Sequence, residues 1–168
     1  DLIANNIVVK EDTVLNLNGY NVESGIEYVA GLTGTDISAI TIENGATLTI
    51  IGEGTIKGTT YGVYAKEGTL VIKGGNYIAE TSAVQVAKAN VRIEGGTFKT
   101  TATDKRYVIN CLDANYKHGE AVVEITGGYI ICADFVEQNV VCAYPKEKSV
   151  FCNYFVISNK EIYLYSSA

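Results

Sequence analysis

The chain lacks tryptophan and methionine altogether, and its 168 residues include only one proline and one histidine. Zinc sites need several cysteine or histidine ligands at close spacing, whereas here His118 stands alone and no two cysteines form a C-x-x-C pair. The sequence therefore predicts no zinc site. Because methionine is missing even at position 1, we interpret residues 1–168 as a single domain from a longer chain.

Basic residues are also scarce. Thirteen lysines and arginines face nineteen aspartates and glutamates, which gives a net charge of −6. Proteins that hold a phosphate backbone present a basic surface, so nucleic acid is not an expected partner. No stretch approaches the ~20 consecutive apolar residues of a membrane-spanning helix, and the opening DLIANN has neither the basic region nor the apolar core of a secretory signal. A membrane is therefore not an expected partner either.

Cysteines are absent from the first two thirds of the chain. The four that occur are Cys111, Cys132, Cys142 and Cys152. They allow two disulfides in any of three connectivities, or four buried thiols. We favour buried thiols, because an unoxidised cysteine commonly behaves as a small apolar core residue.

Helix signals are nearly absent, since no segment sustains apolar residues at i, i+3, i+4 and i+7 behind a cap. Instead, alternating triplets of the L-x-I type recur along the chain. When the last residue of each triplet is used as a marker, the intervals are 33, 22, 21, 32 and 32 residues. This pattern indicates a basic period of 21–22 residues with three insertions. The markers are Leu17, Ile50, Ile72, Ile93, Ile125 and Ile157.

Each unit contains further recurring parts. A glycine turn follows the triplet, as in Gly74-Gly75 and Gly95-Gly96, and its glycines are expected to adopt positive φ. Asparagines that tolerate the same conformation lie at or near the turns: Asn18, Asn44, Asn76 and Asn90. A short apolar segment follows each turn and contains Val22, Ile56, Tyr77, Phe98 or Ile130. An alternating segment precedes each triplet: Ile40-Thr41-Ile42, Val63-Tyr64-Ala65, Val84-Gln85-Val86, Val108-Ile109-Asn110 and Val140-Val141-Cys142.

Three short strands per unit predict an all-β chain. An antiparallel sandwich would not explain why similar side chains recur at a fixed interval, whereas a solenoid would place them directly above one another. We therefore predict a right-handed parallel β-helix of about six coils, roughly 30 Å tall at the usual strand spacing. The triplet markers then form one internal column, and the insertions form loops that leave the coil.

The recurring V-x-I-x-G-G-x-F/Y pattern resembles the pectate-lyase-like superfamily of right-handed β-helices over about residues 5–165. Within it, DKRYVINCLDANYKHGEAVVEITGGY, residues 104–129, is similar to β-helix modules of gut-phage virion proteins, which are described as head-fibre or tail-associated proteins. The resemblance implies a virion surface or fibre module, commonly oligomeric, with a trimer as the first expectation. It implies assembly in the host cytoplasm and contacts with other virion proteins or with cell-surface glycans.

The same superfamily contains polysaccharide lyases and hydrolases, so an enzyme remains the alternative. The lyases use a calcium site built from several aspartates, and calcium prefers six to eight oxygen ligands. Here no two of the six aspartates are adjacent, and the adjacent Asp pair and the Gly-His-Gly of the hydrolases are also missing. We therefore predict a non-enzymatic module without a catalytic residue, metal or cofactor. A bacterial surface adhesin, extracellular or on the cell surface, is a further alternative.

One cluster of charged and aromatic residues lies at an insertion between residues 100 and 119. It contains the only histidine and one of two arginines. Its members are Asp104, Arg106, Tyr107, Asp113, Tyr116, Lys117 and His118. Aromatic faces stack on sugars and charged groups bind hydroxyls, so the cluster is a candidate glycan-binding groove. The other interpretation is a solvated loop in which Arg106 and Asp113 form a structural ion pair.

Tyrosine occurs twelve times, and most copies are explained by the preference of strands for aromatic residues. The C-terminal EIYLYSSA is an exception, since Tyr163 and Tyr165 would share one face of a final strand. An open solenoid end must be capped or paired to avoid edge-to-edge aggregation. Tyr163 and Tyr165 are therefore predicted to contact another subunit at this end.

Overall fold

A computed structural model describes residues 1–27, 37–101, 107–111 and 120–131 with their side chains. It further describes the backbone of the strands at 141–143, 150–158 and 161–166. Every regular element in these ranges is a β-strand. The strands are β1 Leu2–Ala4, β2 Ile7–Val9, β3 Thr13–Asn16, β4 Asn21–Ser24, β5 Ser38–Ile42, β6 Thr47–Ile51, β7 Thr55–Gly58, β8 Tyr61–Ile72, β9 Asn76–Ala79, β10 Ser82–Ile93, β11 Thr97–Thr100, β12 Ile109–Cys111, β13 Val122–Ile125, β14 Tyr129–Ile131, β15 Val141–Ala143, β16 Val150–Ser158 and β17 Glu161–Ser166.

The strands pair in parallel in three stacks, which we number in chain order. Stack 1 contains β2, β5, the first part of β8, the first part of β10, β12 and β15. Stack 2 contains β3, β6, the remainder of β8, the remainder of β10, β13 and the start of β16. Stack 3 contains β1, β4, β7, β9, β11, β14 and the end of β16, with β17 added antiparallel. One passage of the chain through stacks 1, 2 and 3 is called a layer.

Alternating side chains of all three stacks enter one hydrophobic cluster. Strand β6 shows the pattern plainly, since Leu48 and Ile50 are buried while the residues between and beside them are half-buried. Removing alternate apolar side chains from water stabilises each strand by roughly 25 cal/mol per Å² of buried apolar area. The all-β prediction and the parallel stacking are thus confirmed.

The predicted column of triplet markers is confirmed in the middle of stack 2. Ile50 pairs with Ile72, Ile72 pairs with Ile93, and Ile93 pairs with Ile125. All four side chains are at most 1% exposed. A repeat of similar branched side chains therefore fixed the register correctly where the layers follow one another without a change of pattern.

The two ends of that column were predicted wrongly. Leu15, not Leu17, pairs with Ile50. Leu17 lies beyond β3 in the turn and is buried there, with its Cδ1 so close to Gly75 that a Cβ on that glycine would lie 2.8 Å away. At the other end Ile125 pairs with Cys152, and Ile157 pairs with Ile131 in stack 3. The reason is that β16 runs from stack 2 into stack 3 without a glycine turn.

The predicted column after the glycine turns is confirmed along stack 3. Its members pair in the order Val22, Ile56, Tyr77, Phe98 and Ile130. The Tyr77 and Phe98 rings stack with their centroids 4.8 Å apart and an interplanar angle of 11°. The column thus supplies the largest side chains of the core.

The segments of stack 1 are confirmed in the early layers and shifted by one residue in the later ones. Ile40, Val63 and Val84 pair as predicted, but Val84 then pairs with Ile109 rather than Val108. Ile109 in turn pairs with Val141. Each of these later segments begins with two adjacent apolar residues, so alternation alone cannot distinguish the two registers.

The glycine turns adopt the predicted conformation at the second glycine of each pair. Gly75 has a φ of 89° and Gly96 a φ of 103°, and a Cβ on Gly96 would lie 3.0 Å from Gly75 O. The turns therefore stack so closely that a side chain does not fit between them. Among the asparagines, Asn18 and Asn44 have positive φ as expected, whereas Asn76 and Asn90 lie inside strands β9 and β10.

Candidate functional site

The longer connections of the chain border stack 1 on both sides. Residues 25–37, 101–108 and 132–140 connect stack 3 to stack 1, and residues 112–121 connect β12 to stack 2. In the layers without these insertions, stack 3 continues into stack 1 within two residues. The outer side of stack 1 is thus the surface that the insertions flank.

The predicted cluster straddles β12 in this stack. Tyr107 precedes the strand and is half-buried, with an interaction partner in the structure. The other members lie outside the described residues: Asp104 and Arg106 before β12, and Asp113, Tyr116, Lys117 and His118 after it. Glycan binding by this cluster and the Arg106–Asp113 ion pair both remain predictions.

Four side chains form a row on the outer face of stack 1. Thr41, Tyr64, Gln85 and Asn110 lie in register in consecutive layers. They alternate with buried residues such as Ile40 and therefore point away from the core. The row is made of uncharged hydrogen-bonding groups.

Two members of the row are buried although they face away from the core. Thr41 is 0% exposed and Gln85 3% exposed. Thr41 Oγ1 donates a hydrogen bond to Asn6 Oδ1 at 3.0 Å, and Asn110 Nδ2 donates one to Gln85 Oε1 at 3.0 Å. Asn110 is only half-buried, so its amide is the member of this amide pair that solvent reaches.

An aromatic pair lies beside the row at the start of β8. The Tyr61 and Tyr64 rings are tilted by 51°, with their centroids 5.6 Å apart, and both side chains are half-buried. Gly62 between them lets the backbone approach the next layer, because a Cβ there would lie 2.6 Å from Ala83 O. The two rings and the Asn110 amide form an amphipathic surface two layers long. We call it the tyrosine face.

Ser82 lies in register with Tyr61 and carries an unusual hydroxyl. Its Oγ is fully buried and has no hydrogen-bond partner among the residues that the structure describes. Leaving a buried polar group without a partner costs about 1–3 kcal/mol. The sequence gave no signal for this feature, because a serine at the start of a strand is unremarkable.

A cleft of about 310 Å³ lies where stack 3 ends in the first three layers. Its lining includes three carboxylates, Glu23, Glu27 and Glu80, together with Lys57, which forms an ion pair with Glu23. The cleft was not predicted from the sequence, since its acidic residues belong to different layers. In the part of the chain that the structure describes, no three carboxylate, thiol or imidazole groups are grouped closely enough to hold a metal ion.

Two of the six aspartates are described, and both accept backbone hydrogen bonds. Asp1 Oδ1 accepts one from Asn21 N at 3.0 Å, and Asp12 Oδ1 accepts one from Thr47 N at 2.8 Å. These carboxylates therefore join neighbouring layers. The remaining four aspartates lie outside the described residues, so the structure does not address them as catalytic candidates.

The C-terminal strand β17 pairs antiparallel with β16 of the same chain. Tyr163 pairs with Val156 and Tyr165 with Tyr154 along the backbone. The side chains of these tyrosines lie outside the description, so a subunit contact at this end remains a prediction.

Only one cysteine has a described side chain. Cys111 is a buried thiol whose Sγ donates to Ala121 O at 3.6 Å. This agrees with the expectation of buried thiols at that position. Cys132 and the side chains of Cys142 and Cys152 lie outside the described part.

No helix among the described residues is long and apolar enough to cross a membrane. Comparisons of the chain with protein-family models, with curated proteins and with solved structures gave no significant match. The fold and the surfaces of the molecule are therefore the basis on which its function is argued.

Proposed function

We propose that the chain is a right-handed parallel β-helix that acts as a non-enzymatic structural and glycan-binding module. The observation that carries the proposal is the continuous parallel register of three stacks around one shared core, with the insertions bordering stack 1. A core of this kind holds the outward side chains at a fixed spacing. Rigid, regularly spaced side chains suit recognition of an extended ligand, because little conformational entropy is lost on binding.

The tyrosine face is the surface we assign to glycan binding. Sugar rings present apolar C–H faces that pack on aromatic rings and hydroxyls that bind amides, and Tyr61, Tyr64 and Asn110 offer both. Thr41 and Gln85 hold the row in place through their own hydrogen bonds. The sequence cluster from Asp104 to His118 begins and ends beside this face.

The setting that we propose is the surface of a phage particle, in a fibre or decoration protein. The sequence resemblance of residues 104–129 supports it. Self-association, with a trimer as the first expectation, or contact with other virion proteins belongs to the same proposal. Labelling purified particles with an antibody to this chain tests the setting, and particles that contain none of it would contradict it.

Glycan binding is tested by screening the purified chain against an array of bacterial surface glycans and repeating the screen with Tyr64→Ala. The variant should lose about tenfold or more in affinity, since stacking contacts of this kind contribute about 1–2 kcal/mol. Tyr20→Ala is a matched control, because Tyr20 is 62% exposed and lies outside the face. Equal binding by both variants would contradict the assignment, and new reducing ends or unsaturated products in the mixture would show an enzyme instead.

A further inference from the structure

The outer side of stack 3 is a regular two-row surface, which we call the stack 3 face. The rows alternate with the buried column from Val22 to Ile130 and therefore point to solvent. One row contains Asn21, Thr55, Asn76, Thr97 and Tyr129, and the other contains Glu23, Lys57, Ile78, Lys99 and Ile131. This surface does not overlap the tyrosine face.

The second row alternates between a cation and an apolar side chain from one layer to the next. Lys57 is in register with Ile78, which is in register with Lys99, and Lys99 is followed by Ile131. With layers about 4.8 Å apart, the two lysines recur at about 9.6 Å. Their strands repeat the same T-x-K motif, whereas the intervening strand has N-x-I. The chemical repeat of this surface is thus two layers.

Both lysines are exposed, but only one is engaged by a carboxylate. Lys57 pairs with Glu23 in the preceding layer, and both side chains remain about half exposed. Lys99 has no carboxylate partner among the described residues. Ile78 and Ile131 are half-buried, and Tyr129 is 52% exposed at the end of the first row. The surface therefore offers one cation directly, a second by partner exchange, and apolar area between and beside them.

An extended glycan with alternating sugars matches this arrangement. Successive sugars in such a chain turn to opposite sides, so equivalent groups recur at every second sugar, and one sugar spans roughly one strand spacing. We propose that the stack 3 face binds a linear glycan with an acidic group on every second sugar, lying along the stacking direction. Lys99 and Lys57 bind the acidic groups, and the apolar residues contact the C–H faces. Asn76, Thr55 and Thr97 bind hydroxyls.

The test uses calorimetric titration with hyaluronan oligosaccharides, in which uronic acid alternates with a neutral sugar, at low salt. Binding should weaken as salt is added. Lys99→Gln should weaken it about three- to fivefold, which corresponds to an exposed ion pair. Glu23→Gln should strengthen it by a similar factor, because it releases Lys57. Lys10→Gln, an equal change of charge at an exposed position after β2, should leave the affinity unchanged.

Three results would overturn the proposal: equal binding of neutral cello-oligosaccharides, equal binding of poly-L-glutamate, or equal effects of Lys10→Gln and Lys99→Gln. Tyr64→Ala separates this proposal from the preceding one. If hyaluronan affinity depends on Tyr64 and not on Lys99, the stack 3 face is wrong and the tyrosine face stands. If it depends on Lys99 alone, the stack 3 face is supported whatever binds at stack 1.

Discussion

At the scale of the residue, Tyr77 combines three interactions in the centre of the core. Its ring stacks on Phe98, its hydroxyl donates to Gly74 O at 2.8 Å, and its side chain is 0% exposed. Desolvation by this burial raises the pKa of Tyr77 far above the ordinary tyrosine value. A phenol that must stay neutral in the folded state links stability to alkaline pH.

We expect the urea midpoint of the protein to fall as pH rises above about 10, the pKa of tyrosine in the unfolded chain. There the unfolded state loses the phenolic proton while the folded state keeps it, so the stabilisation present below pH 10 is lost progressively. Tyr77→Phe should be less stable by about 1 kcal/mol at neutral pH, through loss of the hydrogen bond to Gly74. It should also have a shallower alkaline decline.

Measurement of urea unfolding from pH 8 to pH 11 checks this linkage. Tyr20→Phe serves as the comparison, because Tyr20 is largely exposed. Parallel pH profiles for the wild type and Tyr77→Phe would show that burial of Tyr77 does not control the alkaline transition.

At the scale of the element, the strands β8 and β10 each run for twelve residues through stacks 1 and 2. Separate short strands were predicted here, but hydrogen bonding continues from Tyr61 to Ile72 and from Ser82 to Ile93. Gly68 permits the bend in β8, since its φ is +131° and a Cβ there would lie 2.2 Å from Ala46 O. Alternation along these strands decides which side chains enter the core.

Adjacent residues of β8 should therefore respond very differently to the same substitution. Ile72→Asp places an unpaired charge in the stack 2 column and should abolish soluble protein. Val71→Asp, one position away on the outer side, should remain folded with a loss of about 1 kcal/mol or less. Soluble yield and thermal unfolding measure the difference, and a soluble, heat-stable Ile72→Asp protein would refute the inward assignment of Ile72.

At the scale of the whole molecule, each central layer repeats the one before it with a shift of 21 residues. Ile72 and Ile93 are equivalent, and both strand pairs on either side of them are parallel and in register. In such a stack, stability is approximately a sum of layer and interface contributions. One complete layer is then removable if the faces are preserved.

Deletion of residues 73–93 joins Ile72 to Glu94 and removes one layer without changing which side chains face inward. The shortened chain should fold with a strand-type circular dichroism spectrum and a lower unfolding temperature. Deletion of residues 73–92 differs by one residue and reverses the faces of the following segment, so it should give insoluble protein. Similar behaviour of the two deletions would show that the layers are not equivalent.

The amino-acid sequence alone determined the period, the strand type and the inner positions where layers follow one another closely. The column from Val22 to Ile130 and the pairing of Ile72 with Ile93 follow from alternation and repeat length, since buried apolar positions in stacked strands must coincide. Near the insertions and at the chain ends this information is lost. Val108 and Ile109 are both apolar, so only the pairing with Val84 shows which one continues the stack.

The tertiary structure alone decided how residues of different layers combine into surfaces. The side chains of Thr41, Gln85 and Asn110 are far apart in the chain, and no local pattern indicates that they form one row. The alternation of Lys57, Ile78 and Lys99 becomes visible only when their strands are placed side by side. The inner residues are constrained by a core they share, whereas the outer residues are free to vary, and their arrangement depends on the register that the core imposes.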